Sequence, residues 1–428
     1  MQKIKNLIQF IKPDNLFKIF RNFLILLVSF FIPKSKKFIL IGSWFGSRFA
    51  DNSKYLYLYI NNNLQDLGFN KAIWISRDIE IVKELNRNGF CAYQFWSVQS
   101  IWYHFRSYFH VIDQSYKDIN SIFSIRSKRI HLWHGFPLKR LGSIGRYINN
   151  GVYDEKIPFQ SESRILTLRN KLTSHGFWSD FYLLGTSEFS AQIMSRTFNV
   201  KEKKMLISAY PRNFAPIFKP SLKLLLQDEK EAYQKIEALK YSGYKLIGYF
   251  PTFRDSTETL ILGSSDTHEI LEFLDLCEIN KVKIICKFHS AEKNTGDKLL
   301  DLHPALINLS ANHDIYSYID LIDIVITDYS TIALDFLLWE RPVIYYPYDL
   351  KFYSELDRKL TFDYEEFTPG HKVYTLSELK KIIIKPLDEI ITEYNNKFGS
   401  HANQVKRKIF GEFETYDINH LIDEIKSK

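Results

Sequence analysis

Short apolar runs separated by amphipathic stretches recur along the chain from residue 38 onward. This alternation is typical of strands and helices that build a parallel sheet. Each run predicts a buried strand, and the runs lie at residues 38–41, 72–75, 109–112, 130–133, 181–184, 246–250, 282–286, 324–326 and 343–346. We therefore expect an α/β fold with two Rossmann-like domains.

The runs fall into two sets, which residues 211–220 separate with three prolines. We predict an N-terminal α/β domain at residues 35–215 and a C-terminal α/β domain at residues 216–428, after a distinct segment at residues 1–34. Two sheet domains that face each other form a cleft at the carboxyl ends of their strands, where ligands of such sheets usually bind. Side chains that directly follow a predicted strand are therefore the candidates for chemistry.

The first 34 residues combine basic side chains with an apolar run at residues 23–32. The basic residues before that run are Lys3, Lys5, Lys12, Lys18 and Arg21. A membrane-spanning helix needs roughly 20 apolar residues, so the run is too short to span a membrane. We predict an amphipathic segment on the membrane surface, with its basic side chains near anionic headgroups. The alternative is a helix that packs against the first domain.

The composition, with 45% hydrophobic and 25% charged residues, is that of a globular protein with a sizeable core. The net charge of +8 favours an anionic partner, which is nucleic acid, an anionic membrane or a phosphate-rich substrate. Charge alone does not choose among these partners. The three cysteines are scattered without CxxC spacing, which fits neither a disulfide scaffold nor a zinc site and indicates a reducing cytosol.

Asp328, Ser330 and Thr331 follow the strand predicted at residues 324–326 and stand at the predicted start of a helix. A helix N-terminus presents unpaired N–H groups and the positive end of the helix dipole, so it suits a phosphate. Ser330 and Thr331 can cap that helix and also donate their hydroxyls to the same phosphate, and the alternative is that they only cap the helix. Because a carboxylate repels phosphate, we expect Asp328 to accept from a ribose or acceptor hydroxyl, or to orient an imidazole.

His134 follows the strand predicted at residues 130–133, within the sequence WHGFP. Gly135 and Pro137 predict a sharp turn that holds the imidazole in the cleft. A neutral imidazole, with an ordinary pKa of roughly 6.5, is a natural general base for a hydroxyl nucleophile. A structural histidine that is bonded within the turn is the alternative. A metal shared with His131 is disfavoured, because strand positions three apart point to opposite faces.

Two further strand ends carry cations. Arg254 has a planar fork of donors that suits phosphate oxygens, and Asp255 is placed to hold that fork. The alternative is a surface Arg–Asp pair of little consequence. Lys287 and His289 are two positions apart, so they share one face of an extended chain and together can grip a diphosphate.

These strand ends together predict a site for a diphosphate. The chain has no GxxxxGK[ST] loop and no GxGxxG loop, which argues against a nucleoside-triphosphate hydrolase and a dinucleotide dehydrogenase. It also has no Asp-x-Asp element of the kind that metal-dependent sugar-nucleotide sites use. We therefore predict that protein cations and a helix dipole neutralise the donor charge, without a metal or another cofactor.

Eight short motifs cover the chain from the first predicted strand to Gly370. They are GSWFGSRFADNSKYLYLYI from Gly42, WHGFPLKRLG from Trp133, SAYPRN from Ser208, PTFRD from Pro251, KFH from Lys287, ITDYSTIALDF from Ile326, YYPYDL from Tyr345 and DYEEFTPG from Asp363. In content and order they resemble the motifs of the CDP-glycerol glycerophosphotransferase family, which includes teichoic acid primases and polymerases. Several motifs in a fixed order are far more specific than any one of them.

The resemblance implies a two-domain architecture of the glycosyltransferase-B type and a peripheral enzyme on the cytoplasmic face of the cell membrane. Such an enzyme transfers a polyol phosphate from CDP-glycerol or a related CDP-polyol to a hydroxyl of an anionic teichoic-acid-like or capsular polymer, or of a lipid-linked acceptor, and releases CMP. Nucleic acid is then not a partner. Phe136 departs from the family pattern, which usually has Thr at this position of the turn.

The resemblance also implies roles for the candidate residues. His134 becomes the catalytic base, and His289 contacts the donor diphosphate with help from Arg254. Asp328, Ser330 and Thr331 form the donor phosphate and acceptor site.

Two other functions remain open at this point. A glycosyltransferase that uses a CMP-sugar or another nucleotide sugar would need the same fold and phosphate site. A membrane-bound adaptor that holds anionic polymer or nucleic acid would explain the charge, although it would not explain the His and Arg at the strand ends.

Overall fold

The computed structural model describes residues 13–160, 181–254, 259–288, 303–411 and 417–428. The contacts divide the chain into two compact units. The first unit takes Met1–His134, Pro158–Leu226 and Glu412–Lys428, and the second takes Gly135–Ile157 and Gln227–Gly411. Each unit therefore includes a segment from the other half of the sequence, and the simpler boundaries of residues 1–34, 35–215 and 216–428 stay a prediction.

The strands within these residues are numbered in chain order. They are β1 (Ser35–Ile41), β2 (Lys71–Ser76), β3 (Ala92–Gln94), β4 (Ser107–Ile112), β5 (Lys128–His131), β6 (Ile148–Asn149), β7 (Val152–Tyr153), β8 (Tyr182–Gly185), β9 (Met205–Ile207), β10 (Lys245–Tyr249), β11 (Val282–Cys286), β12 (Leu306–Asn308), β13 (Ile324–Thr327), β14 (Val343–Tyr345) and β15 (His371–Lys372).

The α-helices are numbered in the same way. They are α1 (Pro13–Phe30), α2 (Asp51–Asn62), α3 (Ile79–Arg87), α4 (Val98–Arg106), α5 (Glu188–Phe198), α6 (Pro220–Lys223), α7 (Gln227–Tyr241), α8 (Thr267–Ile279), α9 (Ile332–Leu338), α10 (Leu350–Phe352), α11 (Leu376–Ile383), α12 (Leu387–Phe410) and α13 (Ile418–Lys426).

Each unit is built on a parallel sheet. The first unit has seven strands in the order β3-β2-β1-β4-β5-β8-β9, and the second has six in the order β12-β11-β10-β13-β14-β15. Every pair of neighbours in both sheets is parallel. The short antiparallel pair β6–β7 belongs to the second unit. The expectation of an α/β fold with parallel sheets is confirmed, and each of the nine predicted runs falls on a strand.

The apolar runs form strands because they are buried on both faces, as a parallel sheet between helices requires. In the second unit, Ile247, Ile284 and Ile326 on three strands pack in one core with Phe273 and Leu379 from α8 and α11. Polar side chains start several helices by accepting the first unpaired N–H groups. These caps are Asp78, Ser97, Ser187, Asp266, Thr375 and Asp417.

Helix α1 attaches to the first unit near its C-terminal end and exposes most of its apolar side chains. The Arg126 guanidinium donates to the Ser29 carbonyl and lies 4.6 Å from the centre of the Phe30 ring. Lys34 donates to the carbonyls of His104 and Ser107. The exposed apolar residues are Leu16, Phe17, Phe20, Phe23, Leu24, Leu27, Val28 and Phe30. None of the described helices is both long and apolar enough to cross a membrane.

His104, on α4, is completely buried and has both ring nitrogens bonded. The Asn120 N–H donates to Nε2 at 3.1 Å, so Nδ1 carries the proton that is donated to the Ser100 carbonyl at 2.6 Å. Burial, with a smaller contribution from the nearby Lys34 cation, lowers the pKa of His104 to about 4, although the bond to the Ser100 carbonyl acts in the opposite direction. The folded state therefore requires a neutral imidazole at this position.

We predict that His104→Gln reduces the pH dependence of stability. Between pH 6.5 and pH 4 the unfolded chain binds a proton at His104 that the folded chain excludes, so this residue removes stability as the pH falls, by about 2 kcal/mol at pH 5. Urea unfolding at pH 7.5 and pH 5 should show a smaller loss for the variant than for the wild type. The control His268→Gln, at an exposed position, should keep the wild-type loss. Equal losses in all three proteins would contradict the assignment.

Candidate functional site

The carboxyl ends of the strands in the second unit bring together an arginine and two aspartates. Arg254 follows β10, Asp328 follows β13 and Asp349 follows β14. Nη1 of Arg254 lies 2.6 Å from Oδ2 of Asp328. Nε and Nη2 donate to the two oxygens of Asp349 at 3.0 and 2.9 Å. The bidentate geometry fixes the plane of the guanidinium.

Arg254 is buried, with its side chain only 1% exposed. Burial alone would lower its pKa, but the Asp328 and Asp349 carboxylates outweigh burial and raise the pKa above its ordinary value. Asp255, the predicted partner, lies outside the described residues. The Arg254 guanidinium, which was predicted to bond phosphate oxygens, thus bonds the carboxylates of Asp328 and Asp349. Direct contact between Arg254 and a diphosphate stays a prediction.

The Asp328 carboxylate is held on both oxygens. Oδ2 bonds Arg254, while Oδ1 accepts from the backbone N–H groups of Thr252 at 2.9 Å and Tyr329 at 2.6 Å. The Tyr329 hydroxyl donates to Asp349 at 2.9 Å, which links both carboxylates into one network. Burial and then the two carboxylates raise the pKa of Tyr329, so its hydroxyl keeps its proton and remains a donor.

A small cavity of about 20 Å³ lies beside Asp328 in the second unit. Its lining is mostly aromatic and aliphatic, with a few polar groups, as in many small-molecule sites. The lining residues are Leu138, Asp328, Tyr329, Ser330, Tyr345, Leu360, Phe362, Asp363, Tyr364, Phe367 and Thr368. Phe136 stacks on Phe362 and Phe367, with ring centres 5.4 and 5.9 Å apart. The family's usual Thr could not make this stack.

The helix after Ser330 and Thr331 lacks a side-chain cap at Thr331. It is α9, with seven residues, and Thr331 at its N-cap makes no side-chain capping bond to this described helix. The capping role is therefore wrong for Thr331. Ser330 lines the cavity, and the phosphate role of the two hydroxyls stays a prediction.

The remaining predicted cations of the second unit lie after β11. Lys287 is half-buried and directly follows β11, which is the neighbour of β10 in the sheet. Because neighbouring parallel strands end at the same edge, Lys287 belongs to the edge that carries Arg254 and Asp328. His289 lies outside the described residues.

In the first unit, His134 follows β5 and is half-buried. Its Nδ1 lies 3.4 Å from the backbone oxygen of Asp113, which follows the adjacent strand β4. A carbonyl only accepts hydrogen bonds, so Nδ1 carries the proton and Nε2 is the basic nitrogen. The Trp133 ring packs on the imidazole, with ring centres 4.0 Å apart. This arrangement suits a general base.

The turn that carries His134 has an unusual backbone. Trp133 has φ +60° and Gly135 has φ +144°, and for a bulky side chain a left-handed conformation costs roughly 1–2 kcal/mol. The Trp133 carbonyl accepts from Nδ2 of Asn52 at 2.7 Å, and the His134 carbonyl accepts from Nη1 of Arg212 at 2.7 Å. The same Nη1 lies 2.8 Å from Oδ1 of Asp51. These bonds fix the strained turn.

Two buried carboxyl groups lie beneath this turn. Burial, and then the neighbouring Asp51 and Asp118 carboxyls, raise the pKa of Asp113 well above its ordinary value. The Ser43 hydroxyl donates to Oδ1 of Asp113 at 2.8 Å, and the Ser53 N–H donates to Oδ2 at 3.1 Å. Burial raises the pKa of Asp118 to about 7, against four backbone N–H groups that favour its charged form.

His131 has a structural role. It is buried, its Nδ1 accepts from the Trp133 N–H at 3.1 Å, and burial lowers its pKa to about 3. Within the part of the chain that the structure describes, His, Cys, Asp and Glu form no group of three or more that could hold a metal.

Sequence reasoning missed several residues of these two clusters. Asp113 and Asp349 follow predicted strands directly or closely, so the rule that selected Arg254 and Asp328 would have found them. Asn52 and Arg212 lie inside quoted motifs but follow no strand run. Their contacts join positions 81 and 78 residues apart, which spacing along the chain does not reveal.

The chain has an α/β fold built on parallel sheets, and comparison with known proteins identifies its family. The family described as CDP-Glycerol:Poly(glycerophosphate) glycerophosphotransferase matches residues 24–407. The chain belongs to this family. The predictions of the family and of a CDP-glycerol glycerophosphotransferase are confirmed.

Curated relatives are similar along most of the chain. A teichoic acid poly(glycerol phosphate) polymerase of Bacillus spizizenii is 25% identical over 398 residues, which are 89% of this chain and 93% of that protein. A teichoic acid glycerol-phosphate transferase of Staphylococcus aureus is 25% identical, over 84% of this chain and 86% of that protein. A teichoic acid poly(glycerol phosphate) polymerase of Staphylococcus epidermidis is 26% identical over 85% of this chain, but only 47% of that protein's length is matched.

Solved structures share the fold. The wall teichoic acid polymerase TagF superposes with a TM-score of 0.64 at 19% identity, covering 100% of this chain and 97% of that chain. A variant of TagF soaked with CDPG gives a TM-score of 0.66 at 20% identity, covering 100% and 98%. The TagF-like α/β fold of this chain is thereby established.

We predict that Arg254→Met strongly destabilises the protein. The variant leaves the buried Asp328 carboxylate without its cation, and breaking a buried ion pair in this way costs roughly 3–5 kcal/mol. Urea unfolding measures the loss. Lys397→Met is the control, because Lys397 is exposed and its pair with Glu393 is worth at most about 1 kcal/mol. If both variants lose equally little, the Arg254 network is not a determinant of stability.

Proposed function

We propose that His134 is the general base in the transfer of glycerol phosphate from CDP-glycerol to a hydroxyl of a teichoic-acid-like polymer. The acceptor oxygen bonds to the β-phosphorus, the bond from that phosphorus to the bridging oxygen breaks, and CMP leaves. The hydroxyl proton passes to Nε2 of His134. The observation that carries the proposal is the match of residues 24–407 to the glycerophosphotransferase family.

The local geometry supports His134 in this role. The Asp113 carbonyl selects the tautomer with a basic Nε2, and the half-buried position leaves the imidazole within reach of a hydroxyl. Burial keeps His131 neutral and bonded inside the turn, so it is not a competing base.

The second unit is proposed to bind the CDP donor. The cavity beside Asp328 has the mostly apolar lining, with a few polar groups, that is typical of a small-molecule site. Arg254 holds Asp328, whose carboxylate accepts from a hydroxyl of the donor or acceptor, while Lys287 and His289 contact the diphosphate. The hydroxyls of Ser330 and Thr331 bond the phosphate that leaves with CMP.

The two-domain arrangement of the glycosyltransferase-B type, with a cleft between the domains, belongs to this proposal. The TM-score of 0.64 to TagF over the whole chain supports it. The acceptor is proposed to be a growing glycerol phosphate polymer or a lipid-linked primer at the cytoplasmic face of the membrane. The names of the polymerase and transferase relatives support a teichoic acid product.

We predict that His134→Ala lowers turnover by a factor of roughly 10² to 10⁴, the usual contribution of a general base. Release of CMP from CDP-glycerol, with a glycerophosphate primer as acceptor, measures the loss. The control His268→Ala removes an exposed imidazole and should retain wild-type turnover. Full turnover in His134→Ala would remove His134 from the mechanism.

The same assay distinguishes the competing chemistry. Mass spectrometry of the product should show one added glycerol phosphate unit per CMP released. If a nucleotide sugar were the true donor, sugar would be transferred and both phosphates would stay on the nucleotide, and the phosphotransfer mechanism would be wrong.

Helix α1 is proposed to lie on the membrane surface, as its sequence predicts. Phe17 and Phe20 are 66% and 60% exposed on a helix whose neighbouring positions include Lys18 and Arg21. Exposed aromatic and aliphatic side chains flanked by cations suit the interface of an anionic bilayer. The attachment through Arg126 involves Ser29 and Phe30, which leaves the preceding turns for the membrane.

We predict that Phe17→Ser with Phe20→Ser weakens binding to vesicles that contain anionic lipid by at least about tenfold, since each buried Phe contributes roughly 1.5–3 kcal/mol. Co-sedimentation measures the binding. The matched control, Ile217→Ser with Tyr241→Ser, removes side chains that are 78% and 85% exposed elsewhere and should bind like the wild type. Equal binding by both double variants would argue for attachment through another surface.

A further inference from the structure

We propose that Asn52 and the Asp51–Arg212 ion pair are positioning residues that hold the His134 imidazole in its reactive orientation. The proposal rests on the proposed function of His134 as general base. These residues come from two motifs, GSWFGSRFADNSKYLYLYI and SAYPRN, whose role the sequence alone leaves open.

The geometry places these side chains on the backbone of the turn. Nδ2 of Asn52 donates to the Trp133 carbonyl at 2.7 Å, and Nη1 of Arg212 donates to the His134 carbonyl at 2.7 Å. Two consecutive carbonyl groups are therefore held from outside the turn. Because Trp133 has φ +60°, these bonds oppose relaxation of the turn to an ordinary conformation.

The donors are themselves fixed. Oδ1 of Asn52 accepts from the Arg212 N–H at 3.2 Å, so Asn52 bridges the two segments. Oδ1 of Asp51 accepts from Nη1 of Arg212 at 2.8 Å and from the Asn52 N–H at 2.8 Å. Asp51 itself has φ +62°. All three side chains are buried, with Asn52 completely inaccessible.

We infer that the bonds from Asn52 and Arg212 to the turn determine where the imidazole lies. The bond from Nδ1 of His134 to the Asp113 carbonyl is long, at 3.4 Å, so it does not fix the ring by itself. A rotation of the Trp133–His134 peptide would move the ring away from Asp113 and change the direction of Nε2. Small misplacements of a reacting group lower the rate of the chemical step more than they lower substrate binding.

The test is a double-mutant cycle with Asn52→Ala and His134→Ala, with CMP release from CDP-glycerol as the readout. We expect Asn52→Ala to lower kcat at least tenfold with little change in KM for CDP-glycerol, and to change the residual rate of His134→Ala by less than twofold. The matched control is Asn86→Ala. Asn86 also donates to one carbonyl and accepts from one N–H, in both cases of Ala92, and its loss should leave kcat unchanged.

Four more conservative variants test whether a loss of activity reflects misfolding. Asn52→Asp keeps the acceptor for the Arg212 N–H and removes only the donor to Trp133, and Asn86→Asp is its control. Arg212→Lys keeps a cation for Asp51 and should restore part of the kcat that Arg212→Gln loses.

The outcomes separate the two hypotheses. If Asn52→Ala lowers kcat by the same factor with and without His134, or lowers it in neither background, the positioning role is refuted while the base survives. If His134→Ala alone keeps full turnover, the proposed base is wrong and the positioning role falls with it.

Discussion

A charge that is buried in a protein must be paired, and this constraint shapes both strand-end clusters. In the second unit, Arg254 lies between Asp328 and Asp349. In the first unit, Arg212 pairs with Asp51. Removing one partner from such a pair leaves an uncompensated charge in a low-dielectric interior, which is far more costly than losing a surface pair. Both arginines are therefore bound to specific partners, and the loops that carry them have little freedom to move.

The same constraint gives the cations of the second unit different roles. A guanidinium that is already saturated by carboxylates cannot neutralise a substrate phosphate without breaking those bonds. Arg254 therefore orients Asp328, and its charge balances the two aspartates. In the proposed function, the charge of a bound diphosphate would be met by groups such as Lys287, by hydroxyls and by backbone N–H groups at the same edge of the sheet. Preorganised groups of this kind stabilise developing charge without reorganisation during the reaction.

Sequence patterns predicted the longer buried strands better than the short strands and the contacts between distant segments. The nine runs fall on strands because a strand that is buried on both faces is continuously apolar. The short strands β3, β6, β7, β9, β12 and β15 were missed, since each contains only two or three residues and carries no distinct run. The ends of predicted strands pointed to Asp328, Arg254 and His134, because the parallel strands of each sheet bring such positions to one edge of that sheet. Asn52 and Arg212 escaped notice, because their role depends on backbone contacts between distant segments.

Burial distinguishes the histidines that sequence treats as equivalent. Between residues 104 and 134, all of them described, the chain has four. His104 bonds a backbone carbonyl and an N–H, and His110 contacts the hydroxyls of Ser124 and Ser127. Burial lowers the pKa of both and of His131, so these three rings serve as neutral hydrogen-bonding groups. His134 alone among the four is half-buried, with Nδ1 directed to a carbonyl. A histidine can exchange protons with a substrate only where solvent and substrate reach it, which supports the proposal that His134 is the general base.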